Sequence, residues 1–274
     1  MFDQIFKLQP EGDRRRGLTF YVGGAGPIGN VGSFDVPGGM RDAGYQGLVK
    51  PFTWQSWNHA GDQMNLRRNR EKGAELADEI KRYRRRHPNA DINIIALSAG
   101  TGVATFALEY LKEGIDVHRV VFFGCSLSRR YDLTRALKRI RDRLYVLYSP
   151  HDMILKDLVW YTGTVDRSEG SNGIAGLEGF RMPSDPRPDT REQYRKLRNV
   201  PYRSEFSAAG YDGGHTDATN RAFIRRYIAP ALMGDDRLLL GSDRGTPGQP
   251  ASAPTSRPTT EPAPSRLRPR PHFP

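Results

Sequence analysis

Residues 94–102 constrain the fold of this chain more than any other segment. They begin as an apolar strand, which is interrupted at Ser98 and followed by small residues that open a helix. Ala96 and Gly100 lie two positions before and two after Ser98, where a strained strand-to-helix turn requires small side chains. The pattern predicts a nucleophile elbow with its hydroxyl facing solvent, and alanine replaces the first glycine of G-x-S-x-G. An ordinary tight turn fits the same five residues equally well.

A candidate acid follows a later strand. Asp152 ends the four-residue segment that follows the strand predicted at 143–148, the second predicted strand beyond the serine. Asp132 follows the intervening strand, predicted at 118–124, and is kept as an alternative acid. Asp157 is a second alternative. The position at a strand end and the proline that precedes it favour Asp152.

A candidate base follows the last predicted strand. His215 ends a glycine-rich loop that comes after the strand predicted at 204–208, and a helix is predicted over 219–228. Asp217 is too close to His215 in sequence to be its usual acid partner. His151 is a weaker candidate base, since it would have to reach the serine from the turn of the acid itself.

Serine, then aspartate, then histidine, each just past a strand end, is the chain order of the α/β-hydrolases, and the chain resembles this superfamily over residues 18–231. The resemblance implies that Ser98 is the nucleophile, His215 the general base and Asp152 the acid that orients it. It implies a cofactor-independent serine hydrolase that acts on a small-molecule acyl ester through an acyl-enzyme intermediate, without a metal. A non-catalytic α/β-hydrolase-like binding protein is the alternative.

The same resemblance implies an oxyanion hole near the start of the domain. The predicted strand Leu18–Val22 runs into a glycine-rich loop, where the superfamily places backbone N–H donors. The His-Gly beginning that is common in that loop is Gly-Gly here. We therefore expect the N–H groups of Ala25 and Ala99 to bind the oxyanion, with Gly24 as the next choice.

The glycine-rich loop also supports a different hypothesis. Residues 24–29 match G-x-G-x-x-G after a strand, the beginning of a dinucleotide-binding fingerprint that would indicate NAD. That fingerprint needs a helix, yet the glycines and proline of residues 30–39 predict none. It also needs an acidic residue after the next strand, and the strand predicted at 47–52 continues instead into Thr-Trp-Gln. A Rossmann protein is therefore the less favoured assignment, and no cofactor is expected.

The pattern of helices and strands predicts the fold class. An amphipathic helix is predicted over residues 66–86, and an almost entirely apolar helix over 102–111, directly behind the elbow. Helices that alternate with apolar strands form βαβ units. We expect an α/β fold with a mostly parallel central sheet flanked by helices.

The 274 residues suit one such domain with additions. Residues 1–17 are predicted as an N-terminal extension and 18–240 as the domain. A lid-like insertion is expected at about 160–200. From 241 to 274 the composition changes to Pro, Ser, Thr, Ala and Arg, which predicts a disordered tail.

Charge, cysteine content and hydropathy bear on the partners and the location of the protein. The formal net charge of +11 is spread over arginine clusters on separate predicted elements and is mixed with acids, so no nucleic-acid binding is expected. Cys125 is the single cysteine and is expected to be a small buried residue at a strand end. No segment has the composition of a signal sequence or a membrane span, and a cytoplasmic location is expected. The oligomeric state is left open.

Aromatic and polar residues near the predicted strand ends are candidate pocket walls. Trp54 and Phe180 are among the aromatic residues that suggest an apolar acyl or aromatic ester as substrate. The segment 126–128, just beyond a strand end, contains Ser126 and Ser128 as candidates for polar contacts in the pocket.

Overall fold

The computed structural model describes residues 12–25, 30–54, 65–162, 164–166 and 173–241, with no description of the side chains of 158–162. Within these residues the strands are β1 (Leu18–Val22), β2 (Leu48–Pro51), β3 (Ile92–Leu97), β4 (Val117–Phe123), β5 (Ile140–Tyr148) and β6 (Leu197–Pro201). The helices are α1 (Asp35–Asp42), α2 (Leu66–Arg86), α3 (Gly100–Tyr110), α4 (Thr134–Leu137), α5 (Met153–Thr162), α6 (Ala175–Glu178), α7 (Pro188–Tyr194), α8 (Arg221–Phe223), α9 (Ala229–Met233) and α10 (Arg237–Leu240). A π-helical stretch, Ile224–Ile228, joins α8 to α9, and 3₁₀ helices cover Ser204–Ala209 and Asp217–Thr219.

The described strands form one parallel sheet in the order β2-β1-β3-β4-β5-β6. Every residue of β1 and β3 is buried, as expected when helices cover both faces of a sheet. The predicted fold class, a parallel α/β sheet flanked by helices, is confirmed. The strand order reverses between β1 and β3, and in such sheets ligands bind outside the carboxyl ends of the strands at this point.

One face of the sheet is covered by α2 and α3. The side chain of Asn65 caps α2 by accepting a hydrogen bond from the N–H of Arg68 at 2.9 Å. Gly73 brings the two helices close together, because a Cβ atom there would lie only 2.7 Å from the Cβ of Phe106. The prediction of an amphipathic helix at 66–86 is confirmed, and α3 is buried almost all round.

The other face is covered by α1 and the run from α8 to α9, and it shows where one prediction was wrong. The glycines and proline of residues 30–39 were expected to prevent a helix, yet α1 begins at Asp35. Pro37 is tolerated in the first turn, where backbone N–H groups have no partner within the helix. Gly39 is required for packing, since a Cβ there would lie 2.6 Å from the carbonyl oxygen of Arg221.

The outcome for the dinucleotide hypothesis is mixed. Its helix argument fails, because α1 exists, but β2 ends at Pro51 and residues 52–54 contain no acidic side chain that could hold a ribose. Residues 26–29 of the glycine fingerprint lie outside the described residues.

The last strand was also predicted in the wrong place. Residues 204–208 belong to the 3₁₀ helix Ser204–Ala209, and the edge strand is β6, which pairs with β5 from Leu197 to Pro201. The 3₁₀ helix ends at Gly210, whose φ of +82° is the left-handed conformation that commonly terminates helices. Phe206 is buried in a cluster of aromatic rings, and this contact holds the helix against the sheet.

Part of the predicted insertion at 160–200 packs on the segment that follows β4. The N–H of Val165 donates to the carbonyl oxygen of Ser126 at 3.0 Å, and that of Gly176 donates to Cys125 at 2.8 Å. The end of the insertion forms α7 and most of β6. Cys125 is fully buried, as predicted. Among the described helices, none is long and apolar enough to cross a membrane. Residues 1–11 and the predicted tail beyond Gly241 lie outside the described residues.

Candidate active site

Ser98 occupies a strained turn between β3 and α3. Its φ is +55°, and among the residues that the structure describes it is the one non-glycine residue with a positive φ. The turn is fixed by two hydrogen bonds. The N–H of Ser98 donates to the carbonyl oxygen of Phe123 at 2.9 Å, and the hydroxyl of Thr101 donates to the backbone carbonyl oxygen of Ser98 at 2.6 Å. A strained conformation held by its surroundings is typical of functional positions.

The small residues around Ser98 have a steric cause in the structure. A Cβ atom on Gly100 would overlap the backbone carbonyl groups of Val22 and Gly23, at the end of β1. Ala96 is fully buried in β3, between Val22 of β1 and Phe122 of β4. The turn therefore depends on the close approach of β1 to the start of α3.

Asp152 and His215 form a buried pair. The Nδ1 atom of His215 lies 2.7 Å from Oδ2 of Asp152, and the two residues are only 3% and 2% exposed. The second carboxylate oxygen, Oδ1, accepts a hydrogen bond from the N–H of Leu155 at 2.8 Å in the first turn of α5. Both oxygens of Asp152 are thus engaged, and its orientation is fixed.

Gly124 provides the space for this pair. It follows β4 with a φ of +48°, and a Cβ there would lie 2.9 Å from Nδ1 of His215 and 3.2 Å from Oδ2 of Asp152. Gly124 also directly follows Phe123, which binds the N–H of Ser98. Ser98, Asp152 and His215 therefore lie around the carboxyl end of β4. Sequence reasoning missed Gly124, although a glycine directly after the strand next to the elbow was a visible signal.

Asp217 holds the loop that presents His215. Its Oδ2 atom accepts hydrogen bonds from the N–H groups of Gly214 at 2.9 Å and Asp212 at 3.3 Å. Burial raises the pKa of Tyr211, and the carboxylates of Asp152 and Asp217 raise it further. Tyr211 therefore stays neutral and adds no charge beside the histidine. The role of Asp217 in the loop backbone was not predicted.

Two reactive atoms in this cluster lack partners. Neither Oγ of Ser98 nor Nε2 of His215 has a hydrogen bond to any described residue, and both atoms are buried. If His215 donates its Nδ1 proton to Asp152, Nε2 carries a free lone pair. The expectation that the Ser98 hydroxyl faces solvent is wrong, because the residue exposes none of its surface.

The predicted oxyanion-hole residues follow two adjacent strands of the sheet, β1 and β3. Gly24 and Ala25 follow β1, whose Val22 is in register with Ala96 of β3. The preceding carbonyl group, that of Gly23, accepts a hydrogen bond from the indole of Trp54 at 2.8 Å. Ala99 is fully buried and directly precedes α3. Because β1 and β3 are adjacent and parallel, the segments that follow them leave the sheet at the same edge.

The alternative acids and base have other roles in the structure. Asp132 accepts a hydrogen bond from the N–H of Thr134 at 2.9 Å, at the start of α4. Asp157 is exposed on α5. His151 is exposed and packs edge-on against the ring of Tyr202, with the ring centroids 5.7 Å apart.

Comparison with known proteins adds little beyond this geometry. No protein-family model matches the chain, and no curated protein matches it in sequence. The solved structures that match include the crystal structure of a predicted CIB-like hydrolase from Thermoplasma acidophilum, which is 15% identical. That alignment covers 80% of this chain and 87% of the other, with a TM-score of 0.38. At this TM-score, function has to be inferred from the site itself.

Proposed function

We propose that this chain is a serine hydrolase of the α/β-hydrolase type, which cleaves acyl esters with Ser98 as nucleophile, His215 as base and Asp152 as the acid that orients it. The observation that supports this most is the strained Ser98 turn beside a buried His215–Asp152 pair. In this pair Nδ1 of His215 contacts the carboxylate, whereas Nε2 has no partner among the described residues. Such an arrangement suits a histidine that accepts a proton from a serine.

In the first half of the reaction, Oγ of Ser98 attacks the ester carbonyl carbon while Nε2 of His215 takes the hydroxyl proton. Asp152 keeps the proton on Nδ1 and stabilises the imidazolium ion that forms. The bond to the alcohol then breaks, and His215 gives the proton to the leaving alkoxide. The product of this half is an acyl group on Ser98.

In the second half, His215 takes a proton from water, whose oxygen attacks the acyl carbonyl carbon. The bond between this carbon and Oγ of Ser98 then breaks, His215 returns the proton to Oγ, and the carboxylic acid is released. The negative charge on the carbonyl oxygen in each half is assigned to the backbone N–H groups of Ala99 and Ala25, with Gly24 as the next choice. Removing one such donor typically slows an enzyme about 100- to 1,000-fold.

A fluorophosphonate probe tests the proposal, because it labels only an activated serine. We expect one phosphonyl group per molecule, located on Ser98 by peptide mass spectrometry, and turnover of short aryl esters. The Ser98→Ala variant is the control and should show neither. Since Ser98 is buried, labelling should be followed over hours. Folded protein that is neither labelled nor able to hydrolyse an ester panel would contradict the proposal and favour a non-catalytic binding protein.

A further inference from the structure

Two hydroxyl groups outside the triad are buried without a partner. Oγ of Ser126 and Oγ1 of Thr164 make no hydrogen bond to any residue in the described ranges, although the two residues are only 0% and 6% exposed. An unpartnered hydroxyl in a protein interior is destabilising and therefore uncommon. A substrate group that bonds to these hydroxyls would supply the missing partners.

The two residues that carry these hydroxyls lie in chain segments that border the candidate active site. Ser126 lies two residues after Gly124, which contacts the ring of His215. Thr164 is held beside Ser126, because the next residue, Val165, donates its N–H to the carbonyl oxygen of Ser126 at 3.0 Å. The side chain of Val165 in turn packs against Gly102 in the first turn of α3, which follows Ser98.

Other buried hydroxyls near them have hydrogen-bond partners, so among the described residues outside the triad the buried unpartnered hydroxyls are those of Ser126 and Thr164. Ser128, in the same segment and 1% exposed, accepts a hydrogen bond from the N–H of Arg130 at 3.2 Å. The hydroxyl of Thr101 donates to the backbone carbonyl oxygen of Ser98 at 2.6 Å, and the hydroxyl of Thr105 donates to the carbonyl oxygen of Thr101 at 2.8 Å. Ser126 and Ser128 therefore differ, since Oγ of Ser128 has a partner within the described residues and Oγ of Ser126 has none.

We propose that Ser126 and Thr164 determine substrate specificity by hydrogen bonding to an uncharged polar group, a hydroxyl in the simplest case, on the ester bound at Ser98. This inference rests on the proposed serine-hydrolase function and replaces a purely apolar ester with a hydroxylated one. A hydroxyl group both donates and accepts, so it can bind to two protein hydroxyls at once. An analogue without the group leaves both of them buried and unpaired, and is disfavoured for that reason.

Two pairs of esters test the inference and show which side of the ester carries the polar group. Butyrate and 3-hydroxybutyrate 4-nitrophenyl esters vary the acyl side, and ethyl and 2-hydroxyethyl butyrate vary the alcohol side. We expect wild-type protein to have a higher kcat/KM for the hydroxylated member of at least one pair. Ser126→Ala and Thr164→Val should each lower that preference by about tenfold, the effect of losing one neutral hydrogen bond.

Ser128→Ala is the matched control, because it removes a hydroxyl of equal burial that already has a partner. It should keep the wild-type preference, and its Tm should fall. The Tm of Ser126→Ala should be unchanged or higher by about 2–4 °C, because an unsatisfied polar group is removed. A lower Tm for Ser126→Ala would indicate a structural hydroxyl and overturn the inference.

Labelling of Ser98 separates this inference from the proposed function. If wild-type Ser98 is labelled by the fluorophosphonate, but neither ester pair shows a preference or both variants keep it unchanged, the specificity proposal is wrong and the serine hydrolase stands. If wild-type protein is neither labelled nor active, both proposals fall together.

Discussion

Gly124→Ala should disturb the candidate active site without changing any of its functional atoms. The new methyl group would lie 2.9 Å from Nδ1 and 3.0 Å from Cε1 of His215, where ordinary contacts begin near 3.4 Å. The ring must therefore shift by about 0.5 Å, the tolerance within which a catalytic group has to be held. Since a misplacement of about 1 Å can cost about 100-fold in rate, we expect a loss of about tenfold or more.

The substitution also has a backbone cost that can be measured separately. A φ of +48° is unfavourable for alanine by about 1–2 kcal/mol, which lowers the Tm of a domain of this size by about 2–8 °C. Gly114→Ala is the matched control. Gly114 has a φ of +83°, a Cβ there would meet nothing within 4 Å, and it lies before β4 rather than after it. The length of β4 separates the two glycines by about 23 Å.

The assay is the second-order rate constant for fluorophosphonate labelling of Ser98, measured together with the Tm of each variant. Both variants should lose stability from the positive φ, and Gly124→Ala should lose more because its Cβ also overlaps the ring of His215. Only Gly124→Ala should label more slowly. Labelling of Gly124→Ala at the wild-type rate, or an equal loss of rate in Gly114→Ala, would refute the inference that Gly124 makes room for His215.

Four further outcomes are expected. Ser98→Ala should lower ester turnover by about 10⁴ or more. It should not lower the Tm, because the lost hydroxyl is buried and has no partner among the described residues. Residual turnover near the wild-type rate would contradict the assignment. Asp152→Asn should slow turnover by about 10⁴, since an amide favours the wrong histidine tautomer; a larger loss in Asp132→Asn would identify the other carboxylate as the acid. Burial raises the pKa of the Cys125 thiol to about 12. Native protein at pH 8 should therefore resist a thiol reagent that fully modifies denatured protein. Rapid labelling of the folded protein would show that the thiol is accessible. Ending the chain after Gly241 removes none of the described residues, so a Tm lower by more than a few degrees would show that the predicted tail docks on the domain.

The elements that could be predicted from the sequence are those with an uninterrupted apolar run or a regular amphipathic pattern. The strand Leu18–Val22 was predicted with its observed ends, because all five residues are apolar or β-branched and are buried. The amphipathic pattern predicted α2 at 66–86, and the apolar run predicted the strand that leads to Ser98. The small residues at 96 and 100 predicted the turn at Ser98, because their cause is the sterics of that turn.

Elements that depend on a partner distant in sequence were not predicted. Glycine and proline disfavour α1, yet Gly39 allows the helix to pack against the backbone of Arg221, and the burial gained there outweighs the low helix propensity. Likewise β6, with its Arg and Asn residues, has little strand pattern of its own and is a strand because β5 offers it an open edge.

The candidate site divides in the same way. The types and order of Ser98, Asp152 and His215 are visible in the sequence, since each follows a strand or loop that the local pattern indicates. The distance from Asp152 to His215, the space left by Gly124, the complete burial of Ser98 and the unpartnered hydroxyls of Ser126 and Thr164 appear only in the folded chain. Local sequence determines which side chains are available, whereas burial and hydrogen-bond satisfaction are properties of groups brought together from distant segments, so only tertiary packing decides them.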